Sequence, residues 1–432
     1  MRKAISKENK MLTKENYQQY ADILREELVP AMGCTEPISL AYAAAKARAV
    51  LGEFPLSAKV EVSGNIVKNA KSVTVPHTGG MRGIKSAFIA GLVAGNADAA
   101  LEVIAHVSAE QIEQIKQTKE TFDVEITTPE DARIFDIAIT LRSASHEAYV
   151  RIADTHTNVV CIRRDGETLY ENLPCEERKM DKSGLTVEGI VEFADTVDID
   201  LVREVLDRQI AYNMAIAEEG LKNSYGANIG KVLLRSYQPD IKTTAKAHAA
   251  AASDARMNGC ELPVVINSGS GNQGITASVP VIVYARGLHL SEEKLYRALC
   301  VSNLITIHLK QGIGALSAYC GAVSAGAGAG CGVAYLLGGG ADEVAHTLVN
   351  ALAIDSGIIC DGAKASCAAK IATAVESGLL GLSMYYNGNE FFAGDGIVKK
   401  GVENTIKSIS RLAHEGMRET DKEIIRIMLE VE

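Results

Sequence analysis

Residues 122–164 read FDVEITTPEDARIFDIAITLRSASHEAYVRIADTHTNVVCIRR, and this stretch decides the fold class. Its apolar and β-branched residues alternate or cluster in four short runs, a pattern that is typical of strands. Two more runs of this kind precede it, at 58–65 and 71–76, and they are separated from it by helical sequence over 83–116. The middle of the chain is therefore predicted to be an α+β module.

Helical patterns flank this module on both sides. Residues 16–29 and 37–50 have helical spacing, and from about residue 187 onward helix follows helix to the C-terminus. A polar stretch at 171–184 is interpreted as a linker. We expect an α+β fold whose parts are a mainly helical catalytic domain, formed by residues 1–54 plus 185–432, and an inserted α/β lobe at 55–184. Because ligand sites favour domain interfaces, the site is expected in the cleft between these two parts.

Composition excludes several classes of protein. The 432 residues are 47% hydrophobic, which excludes a disordered chain. The net charge of -10 leaves no general basic field for nucleic acid or an anionic membrane, so the expected partner is a small molecule. The first twenty residues contain no apolar run long enough for a signal peptide, so we expect a cytoplasmic enzyme, with a homodimer as the default assembly.

Residues 311–341 carry no charge, yet we do not expect them to cross a membrane. Between Ile313 and Cys331 the stretch is mostly Gly, Ala and Ser, which contribute little to transfer into lipid. Helices that pack closely in the protein interior explain this composition better.

Nine cysteines in a reducing compartment are interpreted as buried small residues, metal ligands or catalytic thiols rather than disulfides. Asp361 and Gly362 form a turn signal between Cys360 and Cys367, and helix propensity begins at Ala363. The turn would let both thiols converge near a helix N-terminus, which stabilises a thiolate. From spacing alone, simple burial of the two thiols is the favoured interpretation.

Cys34 directly precedes a helix whose first turn contains Glu36 and Pro37. The positive end of the helix dipole predicts a depressed pKa for this thiol, which makes Cys34 a candidate reactive group. The alternative is a small residue that fits a tight turn.

Two polar loops are candidates for holding a small ligand. Residues 269–274 satisfy GxGxxG, but Pro280 stands where a helix should continue, and the only acidic residues near the right distance, Glu292 and Glu293, lie at a predicted helix start, so a dinucleotide site is not expected. Its amide and hydroxyl donors suit a carboxylate instead. In the other loop, Lys68 would supply a positive charge beside further polar or turn-forming residues: Ser63, Asn65, Asn69, Thr78 and Gly79. Ordinary turn formation is the alternative for both loops.

Taken together, several motifs resemble the L-cysteine desulfidase family, which is related to the catalytic chain of the iron–sulfur L-serine dehydratases. They follow in order along nearly the whole chain: GCTEPISLAYAAA (33–45), SGNIVKN (63–69), VTVPxTG (73–79), AASDARM (251–257), NSGSGNQGIT (267–276), LSAYC (316–320) and IICDGAKASC (358–367). Two positions depart from the pattern or lie outside it: His77 stands where the family more often has Gly, and Cys331 fits no family position.

The resemblance implies a 4Fe-4S cluster held by Cys320, Cys360 and Cys367, with one iron open as a Lewis acid. It implies β-elimination of L-cysteine to pyruvate, ammonia and hydrogen sulfide. Cys34 is the first candidate for the base that removes the α-proton and Lys68 the second. The expected substrate-binding residues come from the polar motifs: Glu36, Ser63, Asn65, Asn69, Thr78, Gly79, Ser268, Gly269 and Asn272.

Three alternatives remain open at this stage. The same cluster chemistry could act on L-serine, as in the sister family. A pyridoxal-phosphate lyase would need a lysine such as Lys364, although other family members can carry a non-basic residue at that position. A protein without a cluster that only binds a metabolite is the third, and the presence of all three ligand cysteines argues against it.

Overall fold

The computed structural model describes residues 12–172, 180–314 and 316–429. Its architecture is α+β and mainly helical, which confirms the predicted fold class. Cys175 and half of the polar linker, residues 173–179, lie outside the described residues.

The secondary structure runs as follows within these ranges. The α-helices are α1 (Lys14–Glu27), α2 (Thr35–Leu51), α3 (Gly64–Ala70), α4 (Ile84–Ala94), α5 (Ala109–Thr121), α6 (Val187–Thr196), α7 (Arg203–Lys222), α8 (Ile229–Ser236), α9 (Ile241–Met257), α10 (Gly271–Gly287), α11 (Glu292–Ile313), α12 (Gly321–Leu336), α13 (Ala341–Ile354), α14 (Cys367–Tyr386), α15 (Val402–Arg411) and α16 (Arg418–Leu429). The strands are β1 (Pro30–Met32), β2 (Ser57–Val62), β3 (Asp123–Thr127), β4 (Asp136–Arg142), β5 (Glu147–Ala153), β6 (Val159–Arg164), β7 (Glu167–Glu171) and β8 (Pro263–Val265).

The α/β lobe is built on a six-stranded sheet of order β3-β2-β4-β5-β6-β7. Strands β2 and β3 pair in parallel and the other neighbours are antiparallel. Helix α2 packs between this sheet and α4, and nearly all of its residues are buried. A Cβ at Gly91 of α4 would lie 2.6 Å from the carbonyl carbon of Ala41, so only glycine allows the two helices to approach this closely.

The helical body has its own core, and α12 runs through the middle of it. This helix contacts α10, α11, α13 and α14. At its crossing with α14, a Cβ on Gly330 would lie 2.6 Å from the carbonyl oxygen of Gly378. The Gly-rich sequence of residues 311–341 thus serves close helix packing. No helix among the described residues has the length and apolar character that a membrane span needs.

Two sets of contacts join the lobe to the body. Strand β1 precedes α2 and pairs antiparallel with β8, with Pro30 opposite Val265. Helix α16 returns to the lobe and packs on α3, where Ile425 fills the space beside Gly64. Helix α1 packs in the core of the body, whereas α2 belongs to the core of the lobe. The exact domain boundaries stay a prediction.

Four local predictions are corrected. The helical sequence at 83–116 is split into α4 and α5, which the Gly95–Asn96 break and the Ser108 capping box explain. Residues 71–76 form no strand beyond an isolated bridge at Thr74. The loop expected around residues 64–70 is helix α3, capped by the Ser63 hydroxyl. Helix α10 continues through Pro280.

Candidate active site

A cavity of about 890 Å³ lies between the lobe and the helical body. The lobe contributes residues of α2 and α3 to its wall, and the body contributes the starts of α10, α12 and α14. Most of the residues singled out from sequence line it: Cys34, Glu36, Lys68, Asn69, Ser268, Gly269, Asn272, Cys320, Cys360 and Cys367. The cleft between the two parts is thus where the candidate residues meet.

Four helices begin at this cavity. Cys34 is the N-cap of α2, Ser270 that of α10 and Cys320 that of α12, while Cys367 is the first residue of α14. Each helix N-terminus carries a partial positive charge and amide groups without an intrahelical partner. The convergence of four such ends favours anionic groups in the cavity.

The three predicted ligand cysteines lie together on the wall formed by the body. The Cys360 amide donates to Ala318 O at 2.6 Å and the Cys320 amide to Ile358 O at 2.9 Å, so the two chain segments are fixed side by side. The side chains of Cys320 and Cys360 interact directly. This interaction, together with the charge of Lys68, lowers the pKa of Cys360 against the effect of burial. The same interaction, together with burial, raises the pKa of Cys320.

Cys367 completes the group but its helix begins later than predicted. Helix α14 starts at Cys367 itself, because the residues from Asp361 to Ser366 form a loop with Gly362 in the left-handed region at a φ of +96°. The Cys367 Sγ lies 3.6 Å from Gly362 O. Burial raises the pKa of this thiol, and the charge of Cys360 also raises it. The loop allows thiols seven positions apart to face one cavity.

The chemistry of this donor set fits an iron–sulfur cluster better than a single metal ion. All cysteines of the described ranges are free thiols. No group of three or more His, Cys, Asp or Glu side chains in those ranges, the three thiols included, is arranged to hold a metal ion. Three thiols around one open cavity, without His or carboxylate partners, are the soft ligands that iron–sulfur clusters take.

Cys34 lies on the opposite wall and pairs with an acidic residue. Its Sγ is 3.1 Å from Glu36 Oε2 and 3.8 Å from Asn69 O. The expectation of a depressed pKa is wrong: burial and the Glu36 charge raise the pKa of Cys34 well above its usual value, and Arg256 offsets this only in part. Cys34 forms a small apolar cluster with Val73 and Met257, and Cys367 packs against this cluster, so the two walls meet here.

Lys68 lines the cavity, but its charge already has a partner. The ammonium group forms an ion pair with Asp421 of α16, and the Lys68 side chain is 1% exposed. Its backbone also packs on the loop of the ligand cysteines, since a Cβ on Gly362 would lie 2.8 Å from the Lys68 carbonyl carbon. Sequence reasoning missed Asp421, because nothing near it in the chain marks it as a partner of α3.

The loop before α10 faces the cavity in a strained conformation. Ser268 and Gly269 have φ values of +49° and +78°, and Gly269 O accepts a hydrogen bond from Thr35 Oγ1 at 3.2 Å. The Asn272 carboxamide is held by the Ser253 hydroxyl at 3.2 Å. The loop is thus fixed against both α2 and α9. Substrate binding by these residues stays a prediction.

Four predicted substrate residues lie elsewhere among the described residues and make structural contacts. Ser63 caps α3 and donates to Ile134 O at 2.9 Å. Asn65 O accepts from Asn69 Nδ2 at 3.0 Å. Thr78 donates to Val75 O at 2.7 Å, and Gly79 provides a positive φ in the same turn. None of the four lines the cavity as described, and their role in binding substrate stays a prediction.

Three cavity residues were not singled out from the sequence. Arg256 and Gln273 lie inside the motifs AASDARM and NSGSGNQGIT. The motifs therefore marked these two segments, but they did not indicate which of their residues line the cavity. Lys310 lies at the end of α11, where burial lowers its pKa to about 8 and its ammonium donates to Gly314 O at 2.6 Å.

The residues assigned no role have ordinary structural explanations. Lys364 forms an ion pair with Asp361 in the loop before α14. His77 has a φ of +55°, in the left-handed region that favours glycine. Cys331 is buried within α12, with its Sγ 3.6 Å from Val344 O.

Comparison with known proteins gives one family and several close relatives. A family model described as the serine dehydratase alpha chain matches residues 98–426, a range that contains Cys320, Cys360 and Cys367. A UPF0597 protein of Desulfitobacterium hafniense is 58% identical over 416 residues, which are 96% of this chain and 97% of the relative. UPF0597 proteins of Lachnoclostridium phytofermentans and Treponema denticola are 50% and 46% identical; the matches cover 96% and 97% of this chain, and 100% and 99% of those relatives.

Proposed function

Because the chain belongs to the serine dehydratase alpha chain family, we propose that this lyase-type scaffold eliminates the β-substituent of a small amino acid, and that its substrate is L-cysteine. The products would be pyruvate, ammonia and hydrogen sulfide. The observation that carries the proposal is the group of three thiols, Cys320, Cys360 and Cys367, on one wall of the cavity between the lobe and the body.

Cys320, Cys360 and Cys367 would hold a 4Fe-4S cluster. When bound, this group would supply a Lewis acid at the one iron that no protein thiol ligates. The residues around it support such a role, because the helix N-termini of α12 and α14 and the nearby Lys310 offset the negative charge of thiolates.

The reaction is balanced without a redox partner. The α-proton and the β-sulfur leave L-cysteine as hydrogen sulfide, and the remaining enamine tautomerises and takes up one water to give pyruvate and ammonia. The protein's task is to fix the α-C–H bond toward a base and to keep water from the cavity until elimination has occurred.

Cys34 is the stronger candidate for that base. Its Sγ lines the cavity and donates to Glu36 Oε2 at 3.1 Å; because burial and the Glu36 charge raise the pKa of this thiol, its proton must be removed before Sγ can accept the α-proton. Lys68 is the weaker candidate, because its ammonium is bound to Asp421 and would first have to give up a proton.

Elimination of water from L-serine is the second candidate function, and the family description favours it. Both substrates share the amino and carboxylate groups and differ only in the leaving group. A soft sulfur atom binds iron more readily than a hydroxyl does, and this supports cysteine. Turnover of the two amino acids by the same preparation separates them, and a strong preference for serine would replace the cysteine assignment.

The test is an iron and sulfide count with an absorption spectrum on anaerobically purified protein. We expect about four irons per chain and formation of hydrogen sulfide and pyruvate in equal amounts from L-cysteine. The variants Cys320→Ser, Cys360→Ser and Cys367→Ser should lose iron. Cys331→Ser is the matched control. Cys331 is a buried thiol of α12 outside the proposed ligand set, so this variant should keep its iron. A colourless, iron-free wild-type protein would refute the proposal.

A further inference from the structure

We propose that Arg256, together with Gln273 and the N-terminus of α10, forms the subsite that binds the α-carboxylate and α-ammonium groups of the substrate. The inference rests on the proposed function only in taking the substrate to be a small amino acid. It assigns the recognition of the carboxylate to a residue other than Lys68, the cation expected from sequence.

Arg256 is a buried cation that forms no ion pair with the residues that the structure describes. It lies in the last turn of α9, lines the cavity and is 3% exposed. No ion pair joins it to any residue that the structure describes, and its buried Nε has no hydrogen-bond partner there. A buried, unpaired guanidinium is strongly destabilising, so the fold retains it at a cost that a bound anion would offset.

The other cations on the cavity wall already have partners. Lys68 is paired with Asp421, and Lys182 is paired with Glu27. Lys310 donates to Gly314 O. Of the positive side chains that line the described cavity, Arg256 is the one for which neither an ion pair nor a hydrogen bond is found among the described residues; its charge lies near the thiols of Cys34 and Cys367, and this makes it the natural site for a substrate carboxylate.

The start of α10 lies directly against this guanidinium. A Cβ on Gly271 would be 2.7 Å from Arg256 Cζ, so glycine is needed at the first position of the helix. Within the described chain no side chain caps α10 at Ser270, and the first-turn amides are therefore open to a ligand. A guanidinium beside a helix N-terminus offers a carboxylate both charge and directed donors.

Gln273, in the same turn of α10, offers the complementary group. Its side chain is buried, it lines the cavity, and its Oε1 has no hydrogen-bond partner among the described residues. A carboxamide oxygen accepts hydrogen bonds from an ammonium group. One helical turn thus presents an acceptor for the amino group next to a donor set for the carboxylate, which is the pattern of an α-amino acid.

The test compares two probes that carry no leaving group: L-alanine, which has both groups, and L-alaninamide, in which the carboxylate is replaced by a neutral amide. Binding is measured by calorimetry on the anaerobic holoprotein. We expect wild type to prefer L-alanine by about 10- to 100-fold, the range of a charged hydrogen bond. Arg256→Met should abolish the preference, and Arg256→Lys should keep part of it. Gln273→Leu should weaken both probes alike.

Arg286→Met is the matched control, because Arg286 lies in the last turn of α10, the helix that carries Gln273 in its first turn. This variant should bind both probes as wild type does. Iron content is measured for every variant. If Arg256→Met still prefers L-alanine, the inference is wrong. It is also wrong if Arg256→Met loses both the preference and its iron, because Arg256 would then stabilise the thiols that hold the iron rather than bind the substrate. Absence of L-alanine binding by wild type also overturns it. If Arg256→Met loses the preference but the wild-type protein does not act on L-cysteine, the proposed function is refuted and the inference about the subsite stands.

Discussion

Replacing Gly362 with alanine should disable the site while leaving the fold intact. Gly362 lies in the loop between Cys360 and Cys367, with a φ of +96°. An added Cβ would come within 2.8 Å of the Lys68 carbonyl carbon and closer still to its oxygen. This residue is therefore where the loop that carries two of the predicted ligands touches the α/β lobe.

Two costs follow from the structure. A side chain in the left-handed region costs about 1–2 kcal/mol, which a protein of this size can absorb. The overlap with the Lys68 backbone is different, because the loop and α3 must separate by about 1 Å, and a displacement of that size at a reacting centre can lower the rate about 100-fold. We expect iron content and kcat/KM to fall sharply, and the free energy of unfolding to fall by only about 1–2 kcal/mol.

Gly338→Ala provides the matched control. Gly338 has a φ of +92°, close to that of Gly362, but nothing lies within 4 Å of the position that an added Cβ would take. It should therefore show the cost in stability without the loss of iron or activity. Iron content, L-cysteine turnover and urea unfolding are measured for both variants. If Gly362→Ala keeps its iron and activity as Gly338→Ala does, the contact between loop and lobe does not position Cys360.

Two further predictions concern stability. Burial raises the pKa of Asp254 from 3.8 to about 6, so the native state binds this proton more tightly than the unfolded chain, and the charged form costs about 3 kcal/mol above pH 6. Asp254→Asn should therefore stabilise the protein at pH 8 and have no effect near pH 4 in urea titrations; an equal effect at both would contradict this. Asp421→Asn should destabilise by about 3–5 kcal/mol because it leaves Lys68 buried and unpaired, and adding Lys68→Met should recover part of the loss. A double variant no more stable than the single one would contradict the ion pair's role.

Sequence periodicity was sufficient to predict the fold class, because the buried residues of the lobe and of the helical body follow simple spacings along the chain. The alternation at 136–142 and 147–153 became strands β4 and β5, and the uncharged stretch after Lys310 became the buried helix α12. Helix α3 was missed because its seven residues are too short for a helical period to show, and because polar residues suggested a loop. Helix α10 was missed because Pro280 usually ends a helix.

The candidate site, like the fold, could be predicted from the sequence only in part. Motifs of several residues identified Cys320, Cys360 and Cys367, and these thiols do lie on one cavity wall. Partners that come from distant parts of the chain could not be predicted, because no local pattern links Lys68 to Asp421, or Arg256 to Gly271. The pKa of Cys34 was predicted with the wrong sign, because the helix dipole can be read from sequence whereas complete burial beside Glu36 cannot.

The division of the site between two lobes explains why these distant contacts matter. The lobe carries both candidate bases, Cys34 and Lys68, whereas the helical body carries the three thiols and Arg256. Elimination needs a base on one side of the substrate and the leaving-group site on another, so the two lobes must hold a fixed distance. The pairing of β1 with β8, the bond from Thr35 to Gly269 O and the α16–α3 contact all bridge the lobes at the cavity. Substitutions at these bridges should therefore impair turnover before they impair folding of either lobe.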